Sequence, residues 1–139
     1  MTDEIPTVIP PAIPTGGLTI LGGEVRHAVE HVECFPAPAD VTVVRFETGE
    51  LSSICPVTGQ PDISHLRLEY GPNQRCIESK SLKLYLWGFR DRRVFAEALA
   101  AEIAHEVMDQ ALPLWVRATI RQQPRGGITL EAVSELGAC

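Results

Sequence analysis

Two short runs near the middle of the chain restrict its fold more than any other feature. ISHLRLEY (63–70) alternates strictly, with Leu66, Leu68 and Tyr70 against His65, Arg67 and Glu69. DVTVVRFET (40–48) is rich in β-branched residues. A period of two puts one face in a core and the other in water, so these runs read as an antiparallel strand pair. LSSICPVTGQPD (51–62) joins them as a loop of turn formers. ESKSLKLYLWGF (78–89) follows a helical template, with Leu82, Tyr85, Leu86 and Phe89 on one stripe and Lys80, Lys83 and Trp87 opposite. A second helix is expected from an Asp91 N-cap to about Gln110. Leu99, Ala100, Ile103, Ala104, Val107 and Met108 would form its buried side, and Glu102, Glu106 and Asp109 its wet side. PLWVRATIRQ (113–122) and GITLEAV (127–133) read as two further strands around a QPRGG turn. The expected class is therefore α+β, in the order β-β-α-α-β-β, with one antiparallel sheet and two helices on one face. So small a sheet has two open edges, which neighbouring subunits are expected to pair.

The chain of 139 residues is read as one domain. Residues 1–17, MTDEIPTVIPPAIPTGG, hold four prolines and two glycines without a usable period, and read as a flexible arm ahead of a domain over 18–139. The net charge of −6 disfavours nucleic acid and membrane surfaces as partners. There is no apolar run near the ~18 residues of a membrane span and no signal-peptide pattern, so a cytoplasmic location is expected. Cys34, Cys55, Cys76 and Cys139 are scattered singly, which speaks against a zinc site and for free thiols.

Two positions invite chemistry. Cys55 sits in a proline-bounded loop whose Gly59-Gln60-Pro61 bend can return Asp62 towards it. A thiolate needs a lowered pKa or a nearby base, and a Cys/Asp pair suits addition to an electrophilic carbon with proton delivery to the developing anion. The plain alternative is a half-buried loop thiol. Glu97 projects into the apolar sector of its helix, between Ala104 and Met108. An acid there needs a partner, either an arginine such as Arg93 or a ligand at an interface.

SSICPVTGQPD, CIESKSLKLYLWGFR and PRGGI resemble the signature regions of the single-domain 7-cyano-7-deazaguanine reductases, the NADPH-dependent nitrile reductases of queuosine biosynthesis. ECFP (33–36) resembles a further element of that family. The resemblance spans about residues 33 to 131 and implies the tunnelling fold, whose subunits join sheets into a barrel with active sites at the interfaces. It implies Cys55 as the nucleophile that forms a thioimide, and Asp62 as proton donor. Ile77, Glu78 and Ser79 match a substrate-binding segment, and Glu97 a carboxylate for the N–H edge of the deazaguanine. Lys80, Ser81 and Lys83 match the NADPH marker, with Arg125 a further candidate for that cofactor. Without the resemblance, Lys80 and Lys83 read as a solvated basic face. Ala96 departs from the pattern, because the family usually reads His-Glu where this chain reads Ala96-Glu97.

Nitrile reduction of a small deazaguanine, in a homodecamer of two pentamers, is what the resemblance implies. Two other readings remain open at this point. One is the amidine-forming branch, which uses the same Cys and Asp on a nitrile-bearing tRNA base. The other is a binding oligomer that captures a deazapurine without converting it, which the missing imidazole keeps in play.

Overall fold

A computed structural model describes residues 18–138; the arm read over 1–17 and Cys139 lie outside the described residues. Six strands, two α-helices and a short 3-10 turn follow in the order β1 (Cys34–Pro36), β2 (Val44–Ile54), β3 (Pro61–Gly71), β4 (Arg75–Ile77), α1 (Ser79–Trp87), the 3-10 turn (Gly88–Asp91), α2 (Ala96–Ala111), β5 (Trp115–Arg125) and β6 (Ile128–Gly137). β2, β3, β5 and β6 form one antiparallel sheet in that spatial order. β1 and β4 form a separate antiparallel pair that the sequence reading lacked, each too short to show a period.

The expected core is present. Leu66, Leu68 and Tyr70 of β3 are almost fully buried, as are Val116, Ala118 and Ile120 of β5. Leu99, Ala100, Ile103, Ala104 and Val107 of α2 cover them, and Leu82, Tyr85 and Phe89 extend the cluster along α1 and the turn after it. The other face of the sheet is charged. There Glu69, although buried, is ringed by Arg45, Arg67 and Arg117 at 2.8, 3.5 and 3.6 Å.

Each long hairpin carries one extra residue, and these two bulges decide what reaches the site. In β2 the partners run Thr48↔Leu66 and then Leu51↔Ser64, three steps on one strand against two on the other. The inward set changes from Val44, Phe46 and Thr48 to Leu51 and Ser53. In β5 the partners run Gln122↔Leu130 and then Arg125↔Ile128, which brings Arg125 round to the inward face.

Several boundaries differ from the sequence reading. β2 starts at Val44 rather than residue 40 and runs through Ile54, and β3 begins at Pro61, so the 51–62 loop shrinks to the turn 55–60. β5 likewise runs on to Arg125, leaving Gly126 and Gly127, both at positive φ, as the turn. Asp91 is not the cap of α2: it ends the 3-10 turn, and the helix starts at Ala96 after Phe95. The intervening residues are extended because they bind the β2 edge. Ile54 N–H donates to Arg92 C=O (2.8 Å), and Val94 N–H donates to Ile54 C=O (3.2 Å). Glu106 is not on a wet face either. Its side chain is only 10 % exposed, and it accepts from Val32 N–H (2.8 Å) and pairs with His31, because the 28–33 segment crosses that side of α2.

Candidate active site

The β2–β3 hairpin ends in a turn that fixes Cys55 by its backbone. Cys55 N–H donates to Gln60 C=O and Gly59 N–H donates to Cys55 C=O, both at 2.9 Å, while Gln60 N–H donates to the Thr58 hydroxyl (3.2 Å). Gly59 has φ +75°, which a side chain would strain, and the Arg93 guanidinium lies against its open face. The Cys55 thiol is held below its ordinary pKa, first by the Thr58 side chain and then by the Thr58 and Val57 backbone N–H groups. Those donors outweigh slight burial and the opposing charge of Asp62. Cys34 and Cys76 go the other way: burial pushes Cys34 up to about 11 and raises Cys76. Among these three free thiols, Cys55 is the one shifted towards the thiolate form.

Asp62 lies across the strand pair from Ser53 and is buried at 7 % exposure. Its Oδ1 accepts from Arg125 Nη2 at 2.7 Å, and the same guanidinium donates to Gln60 Oε1 (3.1 Å) and Pro61 C=O. Arg125, expected at the cofactor, is thus a clamp on the turn and on Asp62, placed there by the β5 bulge. The structure brings Cys55, Asp62, Arg93 and Arg125 to one end of the sheet, and Arg93 and Arg125 were not legible as members of this group.

The start of α2 reaches the same end, since Val94 is tied to Ile54. Ala96, at the place where the resemblance would put a histidine, is buried at 1 % exposure. His65 points to the charged face and meets Glu47 (3.3 Å), while His31 meets Glu106. Glu97 is exposed and has no ion pair among the described residues, so neither the apolar setting nor the Arg93 bridge expected for it is found within one chain. Glu97 is the second residue of α2, and helical side chains lie over the turn N-terminal to their own Cα, a turn that the first residues of a helix lack.

The marker segment is largely built into the scaffold. Glu78 is the N-cap of α1, its carboxylate accepting from Lys80 N–H and Ser81 N–H at 2.8 Å each. Ser81 is fully buried, accepting from Glu33 N–H (2.8 Å) and donating to Glu78 C=O (2.8 Å), so its hydroxyl faces no ligand surface. Ile77 N–H donates to the buried Tyr70 hydroxyl (2.7 Å). Lys80 Nζ donates to the carbonyls of Ile20 (3.3 Å) and Gly23 (3.0 Å). Lys83 stays exposed, and with Ser79 and Trp87 it lines a cleft of about 500 Å³ between α1 and β2. No cluster of three metal-ligating side chains occurs among the described residues.

An antiparallel sheet backed by two helices, with a cysteine at one hairpin tip and a clamped aspartate beside it, defines an α+β protein of the tunnelling-fold class. A family model described as QueF-like protein matches residues 61–138. A curated relative from Rhizobium rhizogenes strain K84 is 38 % identical over 133 residues, covering 91 % of this chain and 86 % of the relative. Another from Granulibacter bethesdensis is 41 % identical over 103 residues, covering 74 % and 67 %. Both are named NADPH-dependent 7-cyano-7-deazaguanine reductase. A crystal structure described as the archaeosine synthase QueF-Like in the apo form matches with a TM-score of 0.67 at 25 % identity, covering 74 % of this chain and 98 % of that one. This chain belongs to the QueF-like family.

Proposed function

We propose that this protein reduces the nitrile of 7-cyano-7-deazaguanine to the aminomethyl group, in queuosine biosynthesis. The observation that carries the reading is the hairpin tip, where the most activated of the described thiols stands beside a buried carboxylate. Cys55 Sγ bonds to the nitrile carbon, one C≡N π bond opens, and Asp62 passes a proton to the nitrogen, giving a thioimide. NADPH, when bound, supplies the two hydrides that take the carbon to the amine level. Once the carbon has been reduced to the imine level, the C–S bond breaks and its electron pair returns to Cys55 as thiolate. A second proton balances the primary amine.

Glu97, exposed in one chain at the same end as Cys55, is free to accept from the N–H donors of a guanine-like edge. Ile77, Glu78 and Ser79 form the strand-to-helix corner against which that base would lie, with Ala96 beside Glu97 offering no polar group. Lys83 and Ser79 suit the phosphates of a dinucleotide, and Trp87 offers a stacking face. Lys80 and Arg125 would join Lys83 only by leaving the partners they hold in this structure, and Ser81 supports the segment from within.

The two sheet edges support assembly into a barrel, expected as a homodecamer of two pentamers. Among the described residues, β2 and β6 have no further strand along them, and Ile128 and Val133 of β6 are 73 % and 51 % exposed. No helix among the described residues is long and apolar enough to cross a membrane.

Intact-mass analysis tests the reading. Incubation with the nitrile should add its mass once per subunit in the native protein and not in Cys55→Ala, and NADPH should then release the amine with two equivalents oxidised. An adduct on another cysteine, or an adduct that NADPH never discharges, overturns it. Similarity to an archaeosine synthase structure gives the amidine-forming reading its specific support; product formed only with ammonia and a nitrile-bearing tRNA would establish that reading instead.

A further inference from the structure

Two hydroxyls on the helix-covered side of the β2–β3 hairpin are buried and unpaired. Ser53 and Ser64 are 1 % and 2 % exposed, and neither Oγ has a hydrogen-bond partner among the described residues. Their surroundings differ. Ser64 faces Leu51 across the strand pair, whereas Ser53 faces Asp62. Directly opposed side chains on antiparallel strands have β-carbons about 4.5–5.5 Å apart, so a turn about χ1 brings the Ser53 hydroxyl to the carboxylate. Asp62 has room for it, because Oδ1 is held by Arg125 while Oδ2 has no hydrogen bond among the described residues.

The chemistry of the two neighbours also differs. A guanidinium only donates, so Arg125 can serve an accepting oxygen of Asp62 but cannot take up the O–H of its protonated form. A group that delivers a proton must also exist as the acid, whose O–H needs an acceptor in a buried place. A serine hydroxyl donates to a carboxylate and accepts from a carboxylic acid. We propose that Ser53 is a positioning residue for Asp62, holding the carboxyl group in both protonation states while its proton passes to the substrate nitrogen. The inference rests on the proton-donor reading of Asp62. It also depends on the β2 bulge, since an unbroken alternation would turn Ser53 to the opposite face.

The test compares Ser53→Ala, Ser53→Thr, Ser64→Ala and Asp62→Asn in the full chain. The readouts are the rate of thioimide formation by intact mass without NADPH, kcat and KM for the nitrile, the pH profile, and Tm. Ser53→Ala should slow adduct formation and kcat about tenfold, leave KM unchanged and move the pH profile, and Ser53→Thr should recover most of the rate. Ser64→Ala, which removes an equally buried unpaired hydroxyl facing Leu51, should keep the native profile. If Ser53→Ala matches Ser64→Ala in rate and pH profile, the inference is wrong. It is equally wrong if Ser53→Ala acts only through a lowered Tm, or fails to fold while Ser53→Thr folds with the rate lost. An Asp62→Asn variant with native adduct formation would instead remove the proton-donor reading itself.

Discussion

Cys34, Cys55 and Cys76 are one functional group in three settings, and the setting ranks their reactivity. Cys55 takes hydrogen bonds at its sulfur and sits low, whereas Cys34 and Cys76 lose hydration and sit high. Iodoacetamide at neutral pH should therefore label Cys55 well before the other two. Its rate should rise with pH through a midpoint below that of a free thiol, and Thr58→Val should move that midpoint up. Peptide mapping over a pH series checks the order, and first labelling at Cys34 or Cys76 would contradict it. Glu97 makes the second prediction at this scale. Glu97→Gln should weaken deazaguanine binding by about 2 kcal/mol, the size of a charge-assisted hydrogen bond, because the amide opposes one N–H with its own. Calorimetry measures it, and unchanged affinity would leave Glu97 as an ordinary surface acid.

At the scale of elements, α1 depends on Glu78 as its N-cap. Glu78 satisfies two N–H groups of the first turn from a buried position, so Glu78→Ala should cost about 1–2 kcal/mol in urea denaturation. An effect on activity alone, at full stability, would return Glu78 to the substrate. Gly71, the last residue of β3, is fixed by packing rather than by φ. A β-carbon there would lie 2.4 Å from Trp115 Nε1, and the rigid indole is held by the β3–β5 pairing. Gly71→Ala should destabilise the sheet by about 1–3 kcal/mol, seen as a lower urea midpoint at unchanged slope.

For the whole molecule, acid stability rests on two clusters far from the reacting groups. Glu69 is held below the ordinary glutamate range first by the Arg45 hydrogen bond, which together with the charges of Arg67, Arg45 and Arg117 overcomes burial. Burial raises Glu33, but hydrogen bonds from the Thr19 side chain and the Ile20 and Thr19 N–H groups overcome it, so it too is lowered. In both cases the unfolded chain takes up the proton more readily. The stability they contribute is present above about pH 5 and is lost as pH falls through the ordinary glutamate value towards the depressed folded ones. Glu69→Gln should flatten the pH dependence of the urea midpoint between about pH 5 and 3, and an unchanged slope would show that other carboxylates carry it. Assembly belongs to the same scale. A charged residue at Val133, on the exposed side of the β6 edge, should lower the molecular mass found by light scattering if that edge is an interface.

Periodicity alone determined a good deal here. Alternation in 63–70 and the i, i+3, i+4 spacing in 78–89 and 99–108 fixed strands, helices and their buried faces, because a side chain's face follows from its position within one element. The Cys55 turn was legible for a related reason, since its proline, glycine and threonine act within six residues. What the sequence could not supply was every feature that depends on how one strand registers with another. A single extra residue in β2 turned Ser53 towards Asp62, and another in β5 turned Arg125 to the same place; Gly49 and Pro124 lie within the two bulges, but neither residue by itself sets the register across the strands. The extended 92–94 segment and the sheltering of Glu106 likewise come from neighbours distant in sequence. Local preference is a matter of a few tenths of a kcal/mol per residue, and a backbone hydrogen bond or a buried face won from a distant segment outweighs it.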